Sequence, residues 1–120
     1  MGNPDFAIPT LEAIIQSNHE LIGVVSNPPK RMGRGRTLSR TSVGKFSRDN
    51  DLTLLEPQSL NSIELKNKLI DLKPDVFVVV AYKILPEDII NIPQFGSLNL
   101  HASLLPKYRG AGPIQWALMN

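Results

Sequence analysis

Two side chains near the C-terminal end of this sequence have types and spacing suited to acyl chemistry. In Ser97-Leu98-Asn99-Leu100-His101, period-two alternation puts Asn99 and His101 on one face of a strand, at its carboxyl end. Ligands of open α/β sheets bind outside that end. A side-chain amide can donate to an oxygen on which negative charge develops, and an imidazole can carry a proton or a positive charge near neutral pH. The pair suits transfer of an acyl-type group. Taken without context, the plainer reading comes first: a hydrogen-bonded pair that closes a strand end.

The second chemical feature is charge. The chain has 13 Lys+Arg against 11 Asp+Glu, yet Lys30, Arg31, Arg34, Arg36, Arg40, Lys45 and Arg48 all fall between Pro28 and Arg48, with no acid among them. Such a block is either a solvated loop or the footprint of a polyanionic partner. Gly33-Arg34-Gly35 inside it is not a dinucleotide fingerprint, because the third glycine would fall at Leu38. There is no cysteine, and the two histidines, His19 and His101, lie too far apart for metal-ligand spacing. No metal site and a reducing compartment are expected. His19, on a turn between helix and strand, carries no functional signal.

At 120 residues, 42% apolar and 20% charged, the chain fits one soluble domain or part of one. No apolar run approaches the roughly 18 residues of a membrane span, and the N-terminus lacks the basic start and apolar run of an export signal. The expected location is cytoplasmic, with no membrane partner.

The elements that must position these residues follow from periodicity and punctuation. Leu11, Ile14 and Ile15 predict a short helix over Pro9 to Ser17, and Leu21 to Val25 a buried strand stopped by Asn27-Pro28-Pro29. The basic stretch reads as a loop that tightens into a short helix from Ser42 to Arg48, before a strand at Leu52 to Leu55. Ser62 or Asn61 can cap a helix carrying Leu65, Leu69 and Leu72, which Pro74 stops. Val76 to Ala81 is apolar on both faces, as a central parallel strand must be. A helix at Pro86 to Ile90, the Ser97 to His101 strand and a helix from Gly112 to Met119 complete the order. Alternation of this kind predicts an α/β fold: a Rossmann-like parallel sheet with helical crossovers, without internal repeat or second domain.

The stretch after His101 carries a resemblance. His101-Ala102-Ser103-Leu104-Leu105-Pro106-Lys107-Tyr108-Arg109-Gly110-Ala111-Gly112-Pro113-Ile114-Gln115-Trp116, preceded by Asn99, resembles the signature of the formyltransferases that use 10-formyltetrahydrofolate. Met1 to Ala7, Gly33-Arg34-Gly35, Val78 to Tyr82 and Ile84-Leu85-Pro86 agree with it, so the resemblance covers essentially the whole chain. Within that family the sequence is most similar to the methionyl-tRNA formyltransferases, by its basic insertion and the order Arg109 to Gln115. Transformylases of small nucleotides lack both features. Amino-sugar formyltransferases and formyltetrahydrofolate dehydrogenases share the Arg-Gly but have no need of the basic arm.

The resemblance implies that Asn99 and His101 are catalytic and that Ser103, Leu104, Leu105 and Pro106 border the folate. Ile84 and Leu85 would help wall its pteridine pocket, unless they are ordinary core. Lys30, Arg31, Arg34, Arg36 and Arg40 would meet tRNA phosphates near the acceptor end, with Lys107 and Arg109 extending that surface. The formyl donor would be 10-formyltetrahydrofolate and the acceptor initiator methionyl-tRNA. Trp116 and Tyr108 stay unassigned. The family's third catalytic residue, an Asp, falls beyond residue 120, and Met1 aligns with the end of the family's first strand. The expectation is a partial catalytic domain, cut at both ends and inactive alone. The alternatives are formyl transfer to an amino sugar nucleotide, and a non-catalytic RNA-binding module in which only the basic arm matters.

Overall fold

The computed structural model describes residues 1–100 and the backbone of residues 118–119. A 3-10 turn at Asp5–Ala7 runs into α1 (Ile8–Gln16), with Pro9 in the first turn, where its missing N–H is not needed. Thr41 caps α2 (Ser42–Asp49), its hydroxyl accepting from the Gly44 amide at 2.9 Å. Ser62 caps α3 (Ile63–Leu72) in the same way through Leu65, and Lys73, left-handed at φ 52°, ends that helix ahead of Pro74. A single turn, α4 (Glu87–Ile90), follows the last of the long apolar strands.

Strand β1 (Val24–Val25) pairs in parallel with β4 (Leu54–Leu55), and β5 (Phe77–Val80) pairs in parallel with β6 (Ser97–Leu100). The two pairs meet through Met1 and Gly2. The Gly2 amide donates to the Val25 carbonyl at 3.0 Å, the Val80 amide donates to the Met1 carbonyl at 2.9 Å, and Gly2 bridges Val80 in parallel. The order across the sheet is therefore β4, β1, Met1–Gly2, β5, β6. Side chains alternate between two apolar layers. Val25, Phe77 and Val79 pack with Leu65 and Leu69 of α3 and with Leu85 and Ile89; Val24 and Val80 pack with Ala7, with Leu11 of α1 and with Val43 of α2. Helices cover both faces of a parallel sheet, the expected α/β, Rossmann-like arrangement.

Behind Met1, between β1 and β5, lies a cavity of about 730 Å³ whose lining includes Leu11 and Ile14 from one layer, Leu69 and Leu72 from the other, and Ile22 and Val76 at its sides. The strand expected over Leu21 to Val25 is laddered only at Val24–Val25, since residues 21–23 border this cavity. Strand β5 stops one residue short of expectation because Ala81 adopts φ 50° and turns the chain away.

Two expectations are corrected. The basic stretch is not an irregular loop: β2 (Lys30–Met32) and β3 (Thr37–Ser39) form an antiparallel hairpin. Gly33 at φ 77° and Arg36 at φ 49° make its turn, closed by the Arg36 amide on the Gly33 carbonyl, while the Arg31 guanidinium donates to the Arg36 carbonyl at 3.1 Å. At the C-terminal end, residues 118–119 are not helical. They form β7 (Leu118–Met119), antiparallel to β6, where ladder pairing with Ser97 and Leu98 satisfies backbone groups that a helix would satisfy internally.

Candidate functional site

Because β1, β4, β5 and β6 run in one direction, their carboxyl ends form one edge of the sheet. Asn99 stands on that edge, half-buried and in register with Val79. It shares a face with Ser97, whose hydroxyl donates to the Ile90 carbonyl at 3.4 Å and ties the start of β6 to α4. Leu100, on the opposite face, packs into the second apolar layer, which fixes the rotation of the strand. His101, Ser103, Leu104, Leu105, Pro106, Lys107, Tyr108, Arg109 and Trp116 lie outside the described residues.

The next strand end, after β5, separates the two residues expected to wall a pocket. Leu85 is 8% exposed and belongs to the first apolar layer, whereas Ile84 is 95% exposed on the loop beside Asn99's strand. The left-handed turn at Ala81 returns Tyr82 against the first layer, where its buried hydroxyl has no hydrogen-bond partner among the described residues. Burial pushes that phenol up to about 12, so it remains a neutral O–H across the physiological range.

The basic hairpin leaves the same edge, departing after Asn27 and returning at Thr41. Every residue from 30 to 38 is exposed, so Lys30, Arg31, Arg34 and Arg36 are presented together on an arm. Arg40 stands apart from them: its Nε lies 3.2 Å from Glu56 Oε1, with both side chains partly buried, at the root of the arm and the end of β4.

Sequence reasoning missed the residues that hold those roots. Asn3 Oδ1 accepts from the Ser26 hydroxyl at 3.0 Å and from the Asn27 amide at 2.9 Å, and the Asn3 carbonyl accepts from the Val43 amide at 3.1 Å. The Ser26 and Thr41 hydroxyls are also hydrogen-bonded to each other. Thr41 carried a signal in the sequence as a helix cap; Asn3 and Ser26 carried none. Among the described residues, no three His, Cys, Asp or Glu side chains come together as a metal-ligand set. The large cavity is not part of this site, since it reaches toward His19, Glu20 and Lys73 at the amino ends of the strands.

Comparison with known proteins places the whole edge in context. Residues 1–120 match the family model described as formyl transferase. The chain is 47% identical over 121 residues to a protein of Alkaliphilus oremlandii, 46% to one of Clostridioides difficile and 48% to one of a Sulfurihydrogenibium species, each named methionyl-tRNA formyltransferase. The alignments cover 99–100% of this chain and 39% of each relative, so the chain spans well under half the length of the curated relatives it matches.

Proposed function

The chain belongs to the formyl transferase family, and from that premise we propose that it supplies the donor-handling edge and the RNA arm of an enzyme that moves a formyl group from 10-formyltetrahydrofolate to the amino group of initiator methionyl-tRNA. One observation carries this reading: Asn99 lies at the carboxyl end of β6 and the basic hairpin departs just after β1, two strands whose parallel pairs are joined through Met1 and Gly2. A bound formyl-folate supplies an activated carbonyl carbon. As the methionyl amine attacked, the Asn99 amide would donate to the oxygen that gains charge and His101 would hold a proton for it; the bond from the formyl carbon to the folate nitrogen would then break, that nitrogen leaving with the proton the amine gives up. Ile84 gives the flat ring an apolar surface, and Ser103 to Pro106 border it. Lys30, Arg31, Arg34 and Arg36 meet phosphates, which position the RNA without reading its sequence. A role in translation initiation, in the cytoplasm, follows from that substrate. Among the described residues no helix is long and apolar enough to cross a membrane.

The amino-sugar reading leaves four exposed cations on a dedicated hairpin without a task, and a pure RNA-binding module leaves Asn99 without one. The test is a chimera in which residues 1–120 replace the matching span of the Alkaliphilus oremlandii relative. Formylation of methionyl-tRNA, with no turnover of an amino sugar nucleotide, is expected. Turnover of the nucleotide alone overturns the reading.

A further inference from the structure

The arm is anchored by a directed chain of hydrogen bonds that starts on the first residues of the sheet. The Gly44 amide donates to the Thr41 hydroxyl as the cap of α2. That hydroxyl faces the Ser26 hydroxyl, which in turn donates to Asn3 Oδ1. If Ser26 gives its one proton to Asn3, Thr41 must give its own to Ser26, so every donor has a single assignment. The second lone pair of Asn3 Oδ1 takes the Asn27 amide, and the Asn3 carbonyl takes the Val43 amide. Asn27 lies just ahead of β2, and Thr41 and Val43 lie just behind β3. One side chain and its own carbonyl thus hold both roots of the hairpin. Ser26, at the centre of the chain, has no solvent exposure at all, so its hydroxyl cannot exchange its partners for water at low cost, while Asn3, Asn27 and Thr41 around it are half-buried.

We propose that Asn3 is the positioning residue of the basic arm: it fixes the direction in which Arg31, Arg34 and Arg36 leave the sheet edge on which Asn99 stands. This rests on the arm being the RNA contact. Among the described residues nothing packs against the arm from 30 to 38, which is exposed throughout, and the Arg40–Glu56 pair stiffens only the returning strand. An unanchored arm keeps its charges but must lose conformational freedom each time it binds, which weakens affinity without changing the number of phosphates neutralised. Charge neutralisation and positioning therefore leave different signatures: removing the first lowers the slope of log affinity against log salt, removing the second does not.

The experiment uses the same chimera, with KM for methionyl-tRNA, KM for 10-formyltetrahydrofolate, kcat and the salt slope as readouts. Asn3→Ala is expected to raise KM for tRNA by roughly tenfold, the effect of losing one or two hydrogen bonds, with folate KM, kcat and salt slope unchanged. In hydrogen exchange, Asn3→Ala is expected to speed exchange of the Asn27 amide, which loses its side-chain acceptor, and Asn3→Asp, which keeps an acceptor oxygen, to restore its protection. Ser26→Ala, a near-isosteric change, is expected to move KM for tRNA in the same direction by a smaller factor, and it serves as the test if Asn3→Ala does not fold. Faster exchange at Asn27 in Asn3→Ala with unaltered KM for tRNA overturns the proposal. A triple Arg31, Arg34 and Arg36 to Ala variant with unaltered salt slope overturns instead the reading of the arm as an RNA contact.

Discussion

Gly2 and Met1 show how tightly single residues are constrained at the middle of the sheet. A Cβ at Gly2 would lie 2.7 Å from the Val80 carbonyl oxygen and 3.1 Å from the Ala7 Cβ, so an alanine there has to displace backbone. Gly2→Ala is expected to lower the melting temperature by roughly 5–15 °C, the scale of overpacking in a small domain, while Gly35→Ala, far from such a contact, should leave it nearly unchanged. The Met1 amino group donates to the Val78 carbonyl at 2.8 Å, and burial lowers it from 8.0 to about 6. In a chain expressed to begin at Met1, the unfolded state binds more protons than the folded one between those values, so stability is full above pH 8 and falls as pH drops through about 6, by about 2–3 kcal/mol. Melting from pH 5 to 8.5, with Met1 as first residue and again with its amine acetylated, should show that slope only in the unmodified chain; equal slopes would contradict it. At this scale the position of Asn99 near the end of a strand was legible, because strand alternation and punctuation specify it together. Asn3 was not, since a hydrogen bond to a residue 23 positions away leaves no periodic trace.

Among the elements, β5 and α3 could be read from sequence because burial on both faces and a Leu65-Leu69-Leu72 stripe bounded by a cap and Pro74 each leave one pattern. The hairpin could not, because neither of its faces is buried and its strands therefore carry no apolar alternation; two positive-φ residues and a three-rung ladder define it instead. Its charges divide into two groups. Replacing Arg31, Arg34 and Arg36 by Ala should weaken tRNA binding and reduce the salt slope by about 0.7–0.9 for each phosphate no longer neutralised. Arg40→Ala should change the slope much less, because its guanidinium is already committed to Glu56. Binding isotherms between 50 and 200 mM salt, roughly the range over which phosphate-driven affinity falls most visibly, make the comparison; a slope reduced by about 0.7–0.9 in Arg40→Ala alone would return Arg40 to the proposed RNA surface.

At the scale of the molecule, among the described residues the two parallel pairs of strands are joined where Met1 and Gly2 lie between them, and the cavity of about 730 Å³ continues that line toward Ile22 and Val76. Register extrapolated from Met1 gives it the length of about four extended residues, ~13 Å at 3.3 Å each. Apolar β-branched residues placed ahead of Met1 should pair with both strands and raise the melting temperature and its cooperativity, whereas a Gly-Ser extension of equal length should not; calorimetry showing the two extensions alike would refute this. The sheet's order was legible from the alternation of elements, while this gap was legible only as a strand expected ahead of α1. If the sheet edge bearing Asn99 performs formyl transfer, single-turnover kinetics of the chimera will show it. Asn99→Ala and His101→Ala are each predicted to slow transfer of the formyl group to methionyl-tRNA by at least about a hundredfold while 10-formyltetrahydrofolate still binds; near-normal transfer in either variant would contradict the account.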